Sequence, residues 1–486
     1  MNKIASFISN NETKGLLYGG FSFLLLTGLT LGWVNNWTFL LLLPAIILVA
    51  YLAITDFKAV FYLFLMAIPI STEVELPGGF GTDLPTEPLM VGLMGIYLLY
   101  VLSHPKNIRA TFVRHPITLI LFLHLSWIFI TMLTSSLLVV SLKFFLAKIW
   151  YVVVCYFMAG HLLRNTKDVK KLFWVIFIPL MLTVSYILSK HAAYGFSFKD
   201  VNKAMYPFQR NHVSYAATIT LFFPFVLLAR QWYQKGSLLR WGLNIALGIL
   251  FIAIYLTFTR AAFVALAMAF GAYIIFQLKM VKVVVACAIL GMIGGAWYMV
   301  QDNKYLDYAP NYDKTITHYK FDNLLEATYK MEDISTMERV HRWVAGAHMS
   351  VKKPFFGFGP GNFYNFYRSY TVTGFTTYVS INKEKSGIHS YYLMTLVEQG
   401  YFGLFLFLLL SFYTLIRGER IYHETKDKNR QQIIMTLLLV IVIIDAFLLI
   451  NDMIETDKVG TFFFICMAIL VNFDLKNKHL PTSIKK

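Results

Sequence analysis

The sequence predicts an all-α polytopic membrane protein of about 14 transmembrane helices, and three observations carry that expectation. The chain has 486 residues, of which 57% are hydrophobic and only 14% charged, with a mean hydropathy of +0.59; soluble domains carry about 25% charged residues. The apolar residues come in long blocks such as Leu16–Val34, Val281–Val300 and Ile433–Ile450, close to the roughly 20 residues that cross a bilayer. Basic residues collect in alternate connecting segments, which soluble packing does not require.

The spans fall near 15–33, 37–54, 59–70, 89–103, 117–133, 140–160, 172–189, 213–229, 241–257, 261–278, 283–299, 389–415, 432–450 and 459–472. The polar start, residues 1–14, has no apolar run before the first span, so an uncleaved first helix is expected rather than a signal peptide. With that start in the cytoplasm, the inward-facing segments hold 24 Lys and Arg and the short outward-facing loops hold 6. The asymmetry follows the positive-inside rule and explains the net charge of +17 without invoking nucleic acid. The predicted organisation is transmembrane helices over 1–299, a large outward-facing loop with short helices over 300–388, further helices over 389–472 and a cytoplasmic tail over 473–486. Cys155, Cys287 and Cys466 each sit in apolar runs and read as small hydrophobes. No Cys/His metal spacing, Walker A loop or G-x-G-x-x-G turn is present, so no metal or nucleotide cofactor is expected.

The large loop contains the clearest local pattern. Ser335–Lys353 reads as a helix: Ser335-x-x-Glu338 is a capping-box pattern, Val340, Trp343, Val344 and Ala347 form an apolar face, and Pro354 ends it. Arg339 lies in its first turns, where backbone N–H groups and the helix dipole favour anions. Arg339 also reads as a surface arginine paired with Glu338 or Asp333. Arg342 on the same helix is a further candidate for contact with substrate. Gly357, Gly359 and Gly361 alternate in a loop that can lie against a sugar or phosphate, or simply form a turn.

His389 stands where the loop returns to the membrane, suited to proton transfer or to a backbone hydrogen bond. Arg260 occupies a very short turn between two spans, and Arg210 begins the eighth span. Lys143 lies about one turn into the sixth span, from which it can also snorkel outward. Lys148 lies deeper. Together, cations and one imidazole at one interface suit transfer from a lipid diphosphate, whose departing charge fixed arginines stabilise.

Three segments carry a family resemblance: Thr259-Arg260-Ala261-Ala262; Arg339-x-x-x-Trp343 with the Pro354–Phe363 glycine loop; and His389-Ser390-Tyr391-Tyr392-Leu393 with Glu398-Gln399-Gly400-x-x-Gly403. Across about residues 205–415 the chain resembles the O-antigen ligase superfamily, which includes O-antigen polymerases and bacterial protein O-oligosaccharyltransferases. Ser390 and Ala261 stand where many members have Asn and Gly.

The resemblance implies a membrane-embedded, GT-C-like, metal-independent glycosyltransferase of the bacterial inner membrane. Its donor would be a glycan on undecaprenyl diphosphate, and its acceptor lipid A–core or another glycan or protein. Arg260 and Arg339 would hold the diphosphate and His389 would orient or deprotonate the acceptor, with Arg210 and Lys143 in support from topology. A lipid-linked glycan transporter is the reading of another class; it predicts an internal repeat that the sequence does not show.

Overall fold

A computed structural model describes residues 43–76, 80–308, 334–376 and 386–478, with Ser380, Asn382 and six scattered positions between 20 and 31. The chain divides into two units, Met1–Leu63 and Phe64–Lys486. The first unit contains α1 (Leu43–Thr55) and the beginning of α2 (Phe57–Ala67). The expected span 15–33 lies largely outside the described residues, and 37–54 is described from residue 43 onward.

In the larger unit, a β-hairpin of β1 (Thr72–Leu76) and β2 (Phe80–Leu84) precedes the helices. Numbering the long helices only, α3 is Thr86–Ser103, α4 Pro116–Leu133, α5 Leu138–Leu162, α6 Thr166–Ala193, α7 His212–Ala229 and α8 Leu238–Leu256. They continue with α9 Arg260–Gln277, α10 Val281–Val300, α11 Ile334–Lys352, α12 Tyr391–Glu424, α13 Lys428–Leu448 and α14 Asp457–Lys478. Among the described residues, eleven helices are long and apolar enough to cross a membrane: α3 to α10 and α12 to α14. They match eleven of the expected spans to within a few residues at most ends, α12 running further. The third expected span appears as a shorter apolar stretch, Phe57–Ile70.

Apolarity alone does not say which helices face lipid, because a membrane solvates leucine as well as a protein core does. The structure decides this. α14 is enclosed along its apolar window and α7 and α13 largely so, whereas α10 buries none of its own. Aromatic rings knit the centre: Phe462 of α14 packs edge-on to Phe222 of α7 at 6.0 Å, and Phe463 lies 6.3 Å from Phe407 of α12. α5 contains a π-helical segment, Val152–Met158, around a buried Tyr156 that hydrogen-bonds Thr118 at 2.6 Å. No sequence signal announced that segment or the hairpin.

Because successive spans alternate direction, the hairpin, the 134–137 turn, the starts of α7, α9, α12 and α14, and α11 all belong to one end of the bundle. The opposite end is tied by Asp474, which accepts two hydrogen bonds from Arg417 at 2.6 and 2.8 Å and lies 2.7 Å from His115.

Candidate active site

α11 sets the first part of the site. Its inward face differs from the expected one: Met337, Val344, Ala345 and Met349 are buried, whereas Ala347 is exposed. Gly346, which has no side chain, lets Ile388 and Leu393 press against the helix on this side. The inward face also carries Arg342, which is 5% exposed. Its guanidinium donates to the Gly387 carbonyl at 3.1 Å and to Glu338 Oε2 at 3.4 Å, while Ser380 donates to Glu338 Oε1 at 2.7 Å. Glu338 is thus engaged by Arg342 and Ser380. Arg342 fixes the backbone two residues before His389.

His389 adopts φ +58, a left-handed conformation that costs a non-glycine residue about 1–3 kcal/mol unless neighbours impose it. The neighbours are evident. Arg342 holds Gly387 on one side. On the other, Tyr391 N–H donates to the Asn451 carbonyl at 3.1 Å, and Ser390 caps α12 by accepting from Leu393 N–H at 3.5 Å. Asp452 packs so closely on Gly387 that a Cβ there would collide with its carboxylate. Burial pushes the His389 imidazole down to about 3, and the charges of Arg342 and then Arg339 add to that push. The ring is therefore neutral at physiological pH, with two cations at its side.

Arg339 is half-buried on α11, and its charge reaches both His389 and His212. The Arg260 turn approaches the same region by ring contacts. Phe258, at φ +54, packs on Phe198 at 5.3 Å, and Phe198 on His212 at 6.1 Å. Thr257 Oγ1 accepts the Thr259 N–H at 3.2 Å and tightens this turn, so Arg260 starts α9 from a fixed position. Arg210 is exposed, stands 3.7 Å from Glu73, and acts with Arg342 on Asp452. Burial raises the Asp452 carboxyl, and the nearby Glu455 raises it further against these two arginines.

The glycine loop does different work. Gly357, Gly359 and Gly361 have φ of +65, +97 and +77. Their N–H groups donate to the Lys353 carbonyl, the Glu398 carbonyl and Glu398 Oε2 respectively. Phe363 N–H donates to Glu398 Oε1 at 3.0 Å, and Tyr401 N–H to the Pro354 carbonyl at 2.8 Å. The three glycine amides are thus bound within the chain, and the loop locks α11 to α12 at the Gly400 kink, where φ is +74. Gly361 also rests on Val140 and Phe144 of α5, the turn that carries Lys143. Lys143 itself is exposed.

Lys148 finds its partner in Glu455 at 2.6 Å, with the Tyr391 hydroxyl 3.4 Å away. Glu398, Glu455 and Asp452 were not singled out individually as site residues from the sequence. Glu398 had a signal, its place beside Gly400; Asp445, Asp452 and Glu455 read in the sequence as an acidic set able to balance nearby cations, but nothing there paired Glu455 with Lys148 across more than 300 residues.

Residues 245–408 match the family model for O-Antigen ligase. About a third of the chain is thus similar to O-antigen ligases. The matched stretch spans Arg260, all of α11, the glycine loop, His389 and Glu398, and leaves Arg210 and Lys143 outside. The match supports a ligase- or polymerase-type activity in the broad sense. No curated protein matches the chain. Among the described residues, no three His, Cys, Asp or Glu side chains are grouped to hold a metal ion.

Proposed function

We propose that the chain is a GT-C-like glycosyltransferase of the bacterial inner membrane. It moves a glycan from undecaprenyl diphosphate to an acceptor hydroxyl at the periplasmic end of the bundle, most simply the lipid A–core of lipopolysaccharide. The observation that carries this reading is the neutral His389, held in a left-handed turn beside Arg339 and Arg342 within the stretch similar to O-antigen ligases. The distribution of basic residues supports the orientation: the short segments at the opposite end hold most of them, so that end faces the cytoplasm with both termini.

The reaction needs little from the protein beyond position and charge. The acceptor oxygen attacks the anomeric carbon. The carbon–oxygen bond to the diphosphate breaks, and its electron pair leaves on the diphosphate oxygen. Arg339 and Arg260 hold that group and stabilise its growing charge. The acceptor proton passes to His389. Burial, and then the charges of Arg342 and Arg339, make the imidazole a weak base; a bound diphosphate offsets the arginines' part of that push and makes the ring more basic. Arg342 positions His389 through Gly387. Arg210 and Lys143, on the same end, assist in drawing the anionic donor toward the site.

The test is alanine substitution of Arg260, Arg339 and His389 in purified protein supplied with a lipid-diphosphate glycan. Each is expected to lose about 100-fold or more in transfer rate. Undiminished transfer in all three ends the mechanism. The anchor of the product separates ligation from polymerisation: lipid A–core in the first case, longer chains on undecaprenyl diphosphate in the second.

A further inference from the structure

Near the arginine–histidine cluster lies a cavity whose walls are mainly acidic. It has a volume of about 250 Å³ and opens between the β-hairpin, the turn before α7 and the start of α14. Glu73, Asp83, Glu87, Glu455 and Asp457 all line it, against Arg210 and Lys458. Most of these acids already have donors. Glu87 accepts from Thr82 at 2.7 Å, Asp457 from Thr86 at 2.7 Å, Glu455 from Lys148, and Glu73 faces Arg210.

Two acceptors remain. Gln209 is 4% exposed and lines the cavity, yet its Oε1 has no hydrogen-bond partner. A buried amide oxygen left unpaired costs about 1–3 kcal/mol, and it points to a ligand that supplies the missing donor. Asp83 lines the same cavity, and among the described residues its carboxylate accepts no hydrogen bond. Phe208 adds an aromatic ring to the wall.

We propose that this cavity is a saccharide subsite for the acceptor end of the reaction, gripping a sugar through the hydrogens of its hydroxyl or ammonium groups. The chemistry selects the class. A phosphate brings only acceptors and negative charge, and the carboxylates repel it. A sugar brings several O–H donors for Asp83 and Gln209, and C–H faces for Phe208. A metal ion is not favoured, because these carboxylates do not converge as ligands. The cavity adjoins the catalytic cluster through shared walls: Arg210 and Glu455 line it, and both act on Asp452, which packs against Gly387. Diphosphate and acceptor sugar are thereby sorted by charge into neighbouring compartments. The inference rests on the transferase reading for its role, though not for binding itself.

The test uses the full chain in lipid nanodiscs. An array of soluble trisaccharides, neutral and amino-bearing, is screened by saturation-transfer NMR, and farnesyl diphosphate is titrated separately. The wild type is expected to bind at least one trisaccharide. Gln209→Leu and Asp83→Asn are expected to weaken that binding tenfold or more while farnesyl diphosphate binds as before. Binding that survives 0.5 M NaCl assigns hydroxyl recognition, and binding that salt removes assigns an ammonium group; either supports the subsite. No bound trisaccharide, or equal binding by folded variants of both positions, overturns it. Trisaccharide binding without farnesyl diphosphate binding would instead count against the transferase reading and leave the subsite standing.

Discussion

At the scale of single residues, His389 is governed by its surroundings. Its ordinary value of 6.5 is pushed down to about 3, so it carries no proton at neutral pH. The sign of the pH effect follows. Between pH 6.5 and 3 the unfolded chain takes up a proton at this position and the folded chain does not, so stability is lost as pH falls through that window. At pH 5 the effect amounts to about 2 kcal/mol. Thermal unfolding in detergent is expected to show a smaller acid-induced drop from pH 7 to pH 5 in His389→Gln than in the wild type. A second prediction concerns Arg342, a positioning residue. Arg342→Met removes the hold on Gly387 and is expected to reduce the transfer rate at saturating donor, with donor KM little changed. A rise in donor KM alone, with the rate at saturation intact, would assign Arg342 to donor binding instead.

At the scale of elements, the join between α11 and α12 depends on backbone geometry. A side chain at Gly400 would meet the Phe355 carbonyl, at a φ of +74 that β-carbons resist. Gly400→Ala is therefore expected to lower stability by about 2 kcal/mol or more, read as a fall in the thermal midpoint. Glu398→Ala strips two buried N–H groups of their acceptor and should cost a comparable amount, with Glu398→Gln less severe. Ser390 teaches the opposite lesson. It stands where the resemblance leads one to expect Asn, but in this structure it caps α12, and Asn caps helices about equally well. Ser390→Asn should change stability by less than about 0.5 kcal/mol; a larger loss would show that the hydroxyl does more than cap.

At the scale of the whole molecule, Lys148 and Glu455 bind the middle of the chain to its last helices. Both sit at the end of the bundle that holds the site, and the lysine is almost fully enclosed. Removing one partner of such a pair leaves a charge stranded, at about 3–5 kcal/mol, whereas replacing both with apolar residues is far milder. Glu455→Leu alone is expected to be less stable than the Lys148→Met/Glu455→Leu double variant. The reverse order would mean that the pair is not coupled. The charge asymmetry makes a topological prediction as well: a reporter fused within 300–388 should be active only when it works in the periplasm.

The spans and the candidate cations were legible in the sequence because bilayer crossing leaves a long apolar signature and because cations at a membrane interface stand out against it. The glycines of 357–361 were equally visible, yet their pattern fits a phosphate cradle and a structural latch alike, since both need positive φ. Only the positions of Glu398 and Gly400 decide that the amides are taken. The inward turn of Arg342 accompanies the close approach allowed by Gly346, and the acceptor-rich cavity depends on a hairpin and a helix start nearly 400 residues apart. The linear order therefore determined the medium in which the chain folds and most of its crossings, which follow from local hydropathy and charge. Which side chains share a pocket was decided by tertiary packing alone, because pairings between distant segments leave no period or spacing in the sequence.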